Sequence, residues 1–220
     1  MEKNLIMHNT IEKESKPIKR VVIKVGTHVI TNKDNRIVEK VLQKLVDQIA
    51  YLHEQDIMTV LVSSGSVIAG KEVMRHQLKT DDKIIRRQVF SAIGQPRMMR
   101  HYYTLFRSYG IRCAQVLATK RDFDAGPHRE NMINCYEGLL QEGVVPIANE
   151  DDAVSLSMST FTDNDELASL VAELIKADMF ILLTDADGFF SGHPEDPESE
   201  LLSHISADEP VEQFVQESTK

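Results

Sequence analysis

Five short apolar runs, at residues 21–25, 58–62, 113–117, 144–148 and 179–183, constrain this chain more than any other feature. Each is a few residues long and nearly continuous in apolar character. That is the pattern of strands buried on both faces of a parallel sheet. Between the runs the spacing turns helical. Val38, Val41, Leu42, Leu45, Ile49 and Leu52 share one helix face. So do Met132, Cys135, Tyr136, Leu139 and Leu140, and again Leu167, Leu170, Val171, Leu174 and Ile175. Residues 82–109 also read as mostly helical. Gly94-Gln95-Pro96 is expected to break that stretch, with Pro96 in the first turn of a second helix. Strand–helix alternation implies an α/β fold, a three-layer, doubly wound, mainly parallel sheet. Ligands of such folds gather where loops leave the carboxyl ends of the strands.

Length and charge narrow the function. At 220 residues the chain suits one large domain, or one plus a fragment, with a core that needs no disulfides. A formal net charge of −9 argues against a basic nucleic-acid binder. No apolar stretch approaches the roughly 20 residues that span a bilayer. Residues 1–17 are polar, lack a signal-peptide apolar core, and read as a flexible extension. Cys113 and Cys135 lie in apolar segments without metal-ligand spacing, so buried, reduced thiols of a cytoplasmic protein are expected.

The residues after each run bear the chemistry. Lys24 stands inside a strand and is followed by Gly26. A buried lysine is costly unless its head reaches an anion or water, so a phosphate contact and simple snorkelling both account for it. Ser63-Ser64-Gly65-Ser66 follows the second run and suits either an anion site at a helix start or a plain serine cap. Neither the P-loop nor the Rossmann glycine pattern is present. Asn149-Glu150-Asp151-Asp152 is either a solvated turn or a seat for a substrate ammonium. Asp163 to Glu166 opens the next helix as a capping box, which is compatible with ligand binding. Thr184-Asp185-Ala186-Asp187-Gly188 ends in a turn signal and does not extend into a calcium loop.

In order, Val22-Ile23-Lys24-Val25-Gly26-Thr27, the run Ser63 to Gly70, Ala92-Ile93-Gly94-Gln95 and Gln115-Val116-Leu117 resemble the amino acid kinase family. Val145-Pro146-Ile147-Ala148-Asn149-Glu150, Asp163-Asn164-Asp165 and the run Leu182 to Gly188 continue the resemblance, which is strongest to the branch that phosphorylates glutamate. It covers about Ile18 to Ile205, and places the kinase domain at 18–220 after the extension at 1–17. The resemblance implies that ATP, with Mg²⁺, phosphorylates the side-chain carboxylate of L-glutamate to L-glutamyl 5-phosphate, the first step of proline biosynthesis. By the same resemblance Lys24 contacts the nucleotide phosphates and Asp165 orients the phosphate-binding lysine. Ser64, Gly65, Asn149, Asp152, Asp163 and Asn164 hold glutamate. Gly26, Thr184 and Asp185, with Lys24, border the nucleotide, and no protein metal site is implied. Proline as feedback inhibitor and a homo-oligomer are implied too. Tyr102, Tyr103 and Phe106 are expected in the core.

Elementary chemistry agrees with that reaction. A carboxylate is already ionised at neutral pH and needs no general base. The obstacle is repulsion between an anionic nucleophile and a polyphosphate, so alignment and positive charge must do the catalysis. The family normally continues with a Gly-Thr-Gly-Gly-Met-x-Thr-Lys segment, whose lysine is a second phosphate ligand, and often with a PUA domain. Here the sequence stops at Ser218-Thr219-Lys220. It therefore reads as a C-terminally incomplete kinase domain, expected to be a poor kinase and to leave a sheet edge or apolar helix face uncovered. Asp151, Thr162, His28 and the stretch Ser191 to Glu195 also depart from the family pattern. Alternative readings are a non-catalytic glutamate or proline sensor, or an acetylglutamate, aspartate, carbamate or uridylate kinase.

Overall fold

The computed structural model describes residues 16–74, 78–154, 164–185, 187–192, 196 and 198–205. Most of the expected N-terminal extension, and Asp163, lie outside the described residues. Strands β1 (Arg20–Val25), β2 (Met58–Ser63), β3 (Arg112–Ala118), β4 (Val144–Glu150) and β5 (Met179–Leu183) form one sheet. Its order is β3-β4-β2-β1-β5, and every pairing is parallel. Helices α1 (Thr27–Ile30), α2 (Glu39–Glu54), α3 (Ser66–Val73), α4 (Lys83–Ser108), α5 (Pro127–Gln141) and α6 (Asn164–Leu174) complete the α/β architecture. A small antiparallel pair, β6 (Phe189–Phe190) and β7 (Leu201–Leu202), follows the sheet.

Strand alternation divides the core in two. Val21, Ile23, Val25, Leu61, Val145 and Ile147 pack with Leu42, Val46 and Ile49 of α2 and Met98, Tyr102 and Phe106 of α4. Val22, Val60, Val62, Val116 and Ala148 pack with Tyr136 and Leu140 of α5 and Leu167, Val171 and Leu174 of α6. The expected three layers are therefore present. Burial on both faces holds for the central strands and fails at the edges, where Leu117 of β3 and Met179, Phe180 and Leu182 of β5 are exposed. An edge strand has a neighbour on one side only, and its side chains reach past the covering helices.

Three local expectations need correction. Helix α4 is continuous, with Pro96 inside it and Asp82 capping the N–H groups of Ile84 and Ile85. An interior proline costs about 3 kcal/mol, but α4 has strong external support. Its buried Met98, Tyr102 and Phe106 anchor the half beyond Pro96. Gly94 is there for close approach, since a Cβ on it would stand 1.7 Å from the Ser66 carbonyl oxygen of α3. Secondly, α3 has no serine cap. Gly65 holds that position at φ +100, and a Cβ there would press on Ile30 Cδ1 at 2.7 Å. Thirdly, Cys135 is exposed and Cys113 half-buried, because the apolar stripe of α5 centres on Tyr136 and Leu140 and leaves Cys135 on its flank. Of the aromatic trio, Tyr102 and Phe106 are fully buried while Tyr103 is exposed.

Candidate active site

The register brings the chemistry-bearing loops to one end of the sheet. Val25 of β1 pairs with Ser63 of β2 and Leu183 of β5, and Val62 pairs with Ala148 of β4. The residues that leave these strands therefore converge at the carboxyl edge, as open parallel sheets generally arrange.

Lys24 shares a sheet face with Val22, beneath α6. It is buried, and its Nζ lies 2.5 Å from Asp165 Oδ1 in the first turn of α6. Gly26 lies against that ammonium: a Cβ on it would stand 3.5 Å from Nζ and 3.5 Å from the Leu183 carbonyl oxygen, both ordinary contact distances. The Gly26 N–H itself donates to the Leu183 carbonyl at 3.1 Å, so this donor belongs to the sheet rather than to an anion. Thr184 and Asp185 follow β5 directly beyond Leu183, and both are exposed.

A cleft of about 350 Å³ adjoins, lined by Thr27, Ser64 to Ile68, Arg87, Asn149, Glu150, Asp152 and Asn164. A polar network fixes its walls. Asn164 Nδ2 donates to Ser64 Oγ at 2.7 Å and to Asn149 Oδ1 at 3.0 Å. Asn149 Nδ2 reaches Ser66 Oγ at 3.4 Å. Ser91 Oγ donates to Asp152 Oδ2 at 2.9 Å and lies at hydrogen-bond distance, 3.1 Å, from Ser66 Oγ. Arg87 Nε donates to Asp152 Oδ1 at 2.8 Å, and its NH2 lies 3.3 Å from Glu150 Oε2. Asn149, Glu150 and Asp152 are all buried, so β4 ends in the site wall rather than in a solvated turn. The start of α3 adds first-turn N–H groups without intrahelical partners and the positive end of a helix dipole.

Ser64, Gly65, Asn149, Asp152 and Asn164 thus share one cleft. Lys24, Gly26 and Asp165 stand together next to it, joined through the Asn164-Asp165 step. Thr184 and Asp185 border the Gly26 side and do not line the cleft. Arg87 and Ser91 were not singled out from sequence. Their signal is a polar row, Arg87, Ser91 and Gln95, at four-residue spacing on one face of α4. Among the described residues no group of three or more His, Cys, Asp or Glu side chains is placed to hold a metal ion.

The sequence pattern of the amino acid kinase family matches residues 19–220. A glutamate 5-kinase of Bacteroides thetaiotaomicron is 39% identical over 197 residues, 90% of this chain and 54% of that protein. A glutamate 5-kinase of Chlorobaculum tepidum is 41% identical over 177 residues, 80% of this chain and 49% of that protein. One of Clostridium acetobutylicum is 40% identical over 187 residues, 84% of this chain and 69% of that protein. The chain spans about half the length of the first two. Among solved structures, isopentenyl phosphate kinase superposes with a TM-score of 0.59 at 20% identity, over 86% of this chain and 81% of that one. The UMP kinase of Bacillus anthracis gives 0.57 at 16% identity, over 84% of this chain and 73% of that one. These two likenesses concern the fold alone.

Proposed function

The chain belongs to the amino acid kinase family, and we propose that it binds L-glutamate and Mg-ATP and transfers the γ-phosphoryl group to the glutamate side chain. The products are L-glutamyl 5-phosphate and ADP, the first step of proline biosynthesis. The observation that carries this reading is the continuous network Ser64–Asn164–Asn149 and Ser66–Ser91–Asp152, set beside the Lys24–Asp165 pair. The names of the relatives above support the choice of glutamate.

In this reading Asp152 accepts the substrate ammonium, and Ser64, Gly65, Asn149 and Asn164 seat the carbon chain and carboxylates. A side-chain carboxylate oxygen attacks the γ-phosphorus as the bond to the β-phosphate oxygen breaks. No proton moves, because the nucleophile is already anionic. Lys24 meets the charge on the transferred group, and Asp165 holds that ammonium in place. Gly26, which has no side chain, leaves a phosphate free to approach Nζ from its side. Thr184 and Asp185 border the nucleotide. Mg²⁺ would come bound to the nucleotide and would supply further neutralisation of polyphosphate charge. Self-association, cytoplasmic residence and inhibition by proline belong to the same reading and rest on the resemblance. No helix among the described residues is long and apolar enough to cross a membrane.

A coupled ADP-release assay with L-glutamate and Mg-ATP, run beside calorimetry, tests the reading. ADP release that requires glutamate supports it. Binding of glutamate or proline without ADP release supports a sensor, or an inactive fragment of a kinase, instead. Absence of binding by either amino acid refutes both.

A further inference from the structure

Arg87 is the only cation lining the cleft among the described residues. It reaches across from α4 to two acids at the end of β4, and the three groups differ sharply in exposure. The side chains of Asp152 and Glu150 are 7% and 5% exposed, whereas that of Arg87 is 59% exposed. Guanidinium carries five N–H donors in a planar fork. One edge of the fork is fixed on the acids, through Nε to Asp152 and NH2 to Glu150. Ser91 fixes the second oxygen of Asp152. The acid is thereby held still while the rest of the guanidinium stays open to the cleft.

The pairing of charges matches one ligand chemistry closely. An α-amino acid bears an ammonium and a carboxylate on the same carbon. Two buried acids alone would attract the first and repel the second. Asp152 with Arg87 in contact presents the opposite charge to each. Resting on the reading of this cleft as a glutamate site, we propose that Arg87 is a specificity residue that pairs with the α-carboxylate while Asp152 takes the ammonium. The substrate class is then a free amino acid with an unblocked α-carboxylate, not an α-amide or a residue followed by a peptide bond.

The experiment uses two ligands that differ only at that group. L-Isoglutamine carries the α-carboxylate as an amide and keeps the side-chain carboxylate and the amine. Calorimetry on the 220-residue chain should show glutamate binding about ten- to a hundredfold more tightly than isoglutamine, the scale of one charge-assisted contact. In Arg87→Met that preference should collapse, through loss of glutamate affinity with isoglutamine little changed. Arg87→Lys, which keeps the charge but not the fork, should recover part of it. An equal fall for both ligands in Arg87→Met would overturn the proposal, because it would mean that Arg87 only neutralises the acids. Comparing two ligands in one variant protects the reading against partial misfolding. No glutamate binding by the unaltered chain would instead overturn the glutamate reading, and this inference with it.

Discussion

A lysine within a buried strand has few places to put its charge. Lys24 finds one at Asp165, across the gap between β1 and the start of α6. Removing the ammonium takes positive charge from the point where the proposed reaction concentrates negative charge. Lys24→Ala should therefore lower turnover by about two orders of magnitude or more, measured as ADP release at saturating glutamate and Mg-ATP. Near-normal turnover in that variant would reject the role of Lys24. Residues of this kind are legible in a sequence because they break a pattern. A charge inside an apolar run, or a row of small and polar residues directly after one, stands out without a structure. Arg87 does not stand out, since an arginine at surface spacing on a helix is ordinary. Its partner Asp152 is 65 residues away in sequence, and only tertiary packing makes the pair. Gly26 was legible as a close approach, but which neighbour takes its N–H depends on β5 lying alongside β1.

At the scale of elements, the strands were readable because continuous apolar runs have few alternatives in an α/β chain. Helix α4 runs through the expected break because two signals with different causes sit side by side there. Gly94 is required by α3, while Pro96 is exposed and acts within its own helix, through its missing N–H and the crowding of its ring on the preceding turn. The two residues should respond oppositely to the same substitution. Gly94→Ala places a methyl group 1.7 Å from the Ser66 carbonyl oxygen, so α3 and α4 must separate. A loss of about 1 to 3 kcal/mol is expected, with weaker glutamate binding because Ser66 anchors Asn149 and Ser91 in the cleft wall. Pro96→Ala restores a backbone donor to an already helical segment and should raise stability by about 1 to 3 kcal/mol. Denaturant melts of the two variants check both signs. A stabilising Gly94→Ala would show that the α3–α4 contact has slack, and a destabilising Pro96→Ala would show that the helix relies on a proline bend.

Across the whole molecule the sheet has two dissimilar ends. The carboxyl edge bears the candidate site, and the amino edge is clasped by charge. Arg20 forks onto Glu137 of α5 and donates to the Ile175 carbonyl just past α6. Asp178, ahead of β5, accepts the N–H groups of Lys19 and Arg20 at 2.9 and 3.0 Å, and so ties the start of β5 to the start of β1. Those two hydrogen bonds, helped by Lys16 and Arg20, hold the Asp178 carboxyl below the usual carboxylate range. A depressed folded pKa means that the unfolded chain takes up the proton first on acidification. The stabilisation from Asp178 is therefore fully present above the ordinary carboxylate pKa, and is lost as the pH falls from there toward the folded value. Asp178→Ala should melt at a lower temperature than the unaltered chain at neutral pH. The gap should hold down to about pH 5 and narrow below about pH 4, near the unperturbed aspartate value. Glutamate affinity at neutral pH should be unchanged, because Asp178 lies at the far ends of the strands from the cleft. A gap that stays constant through acid pH would show that the carboxylate charge contributes nothing. A coupled loss of affinity would show that the two ends of the sheet are not independent.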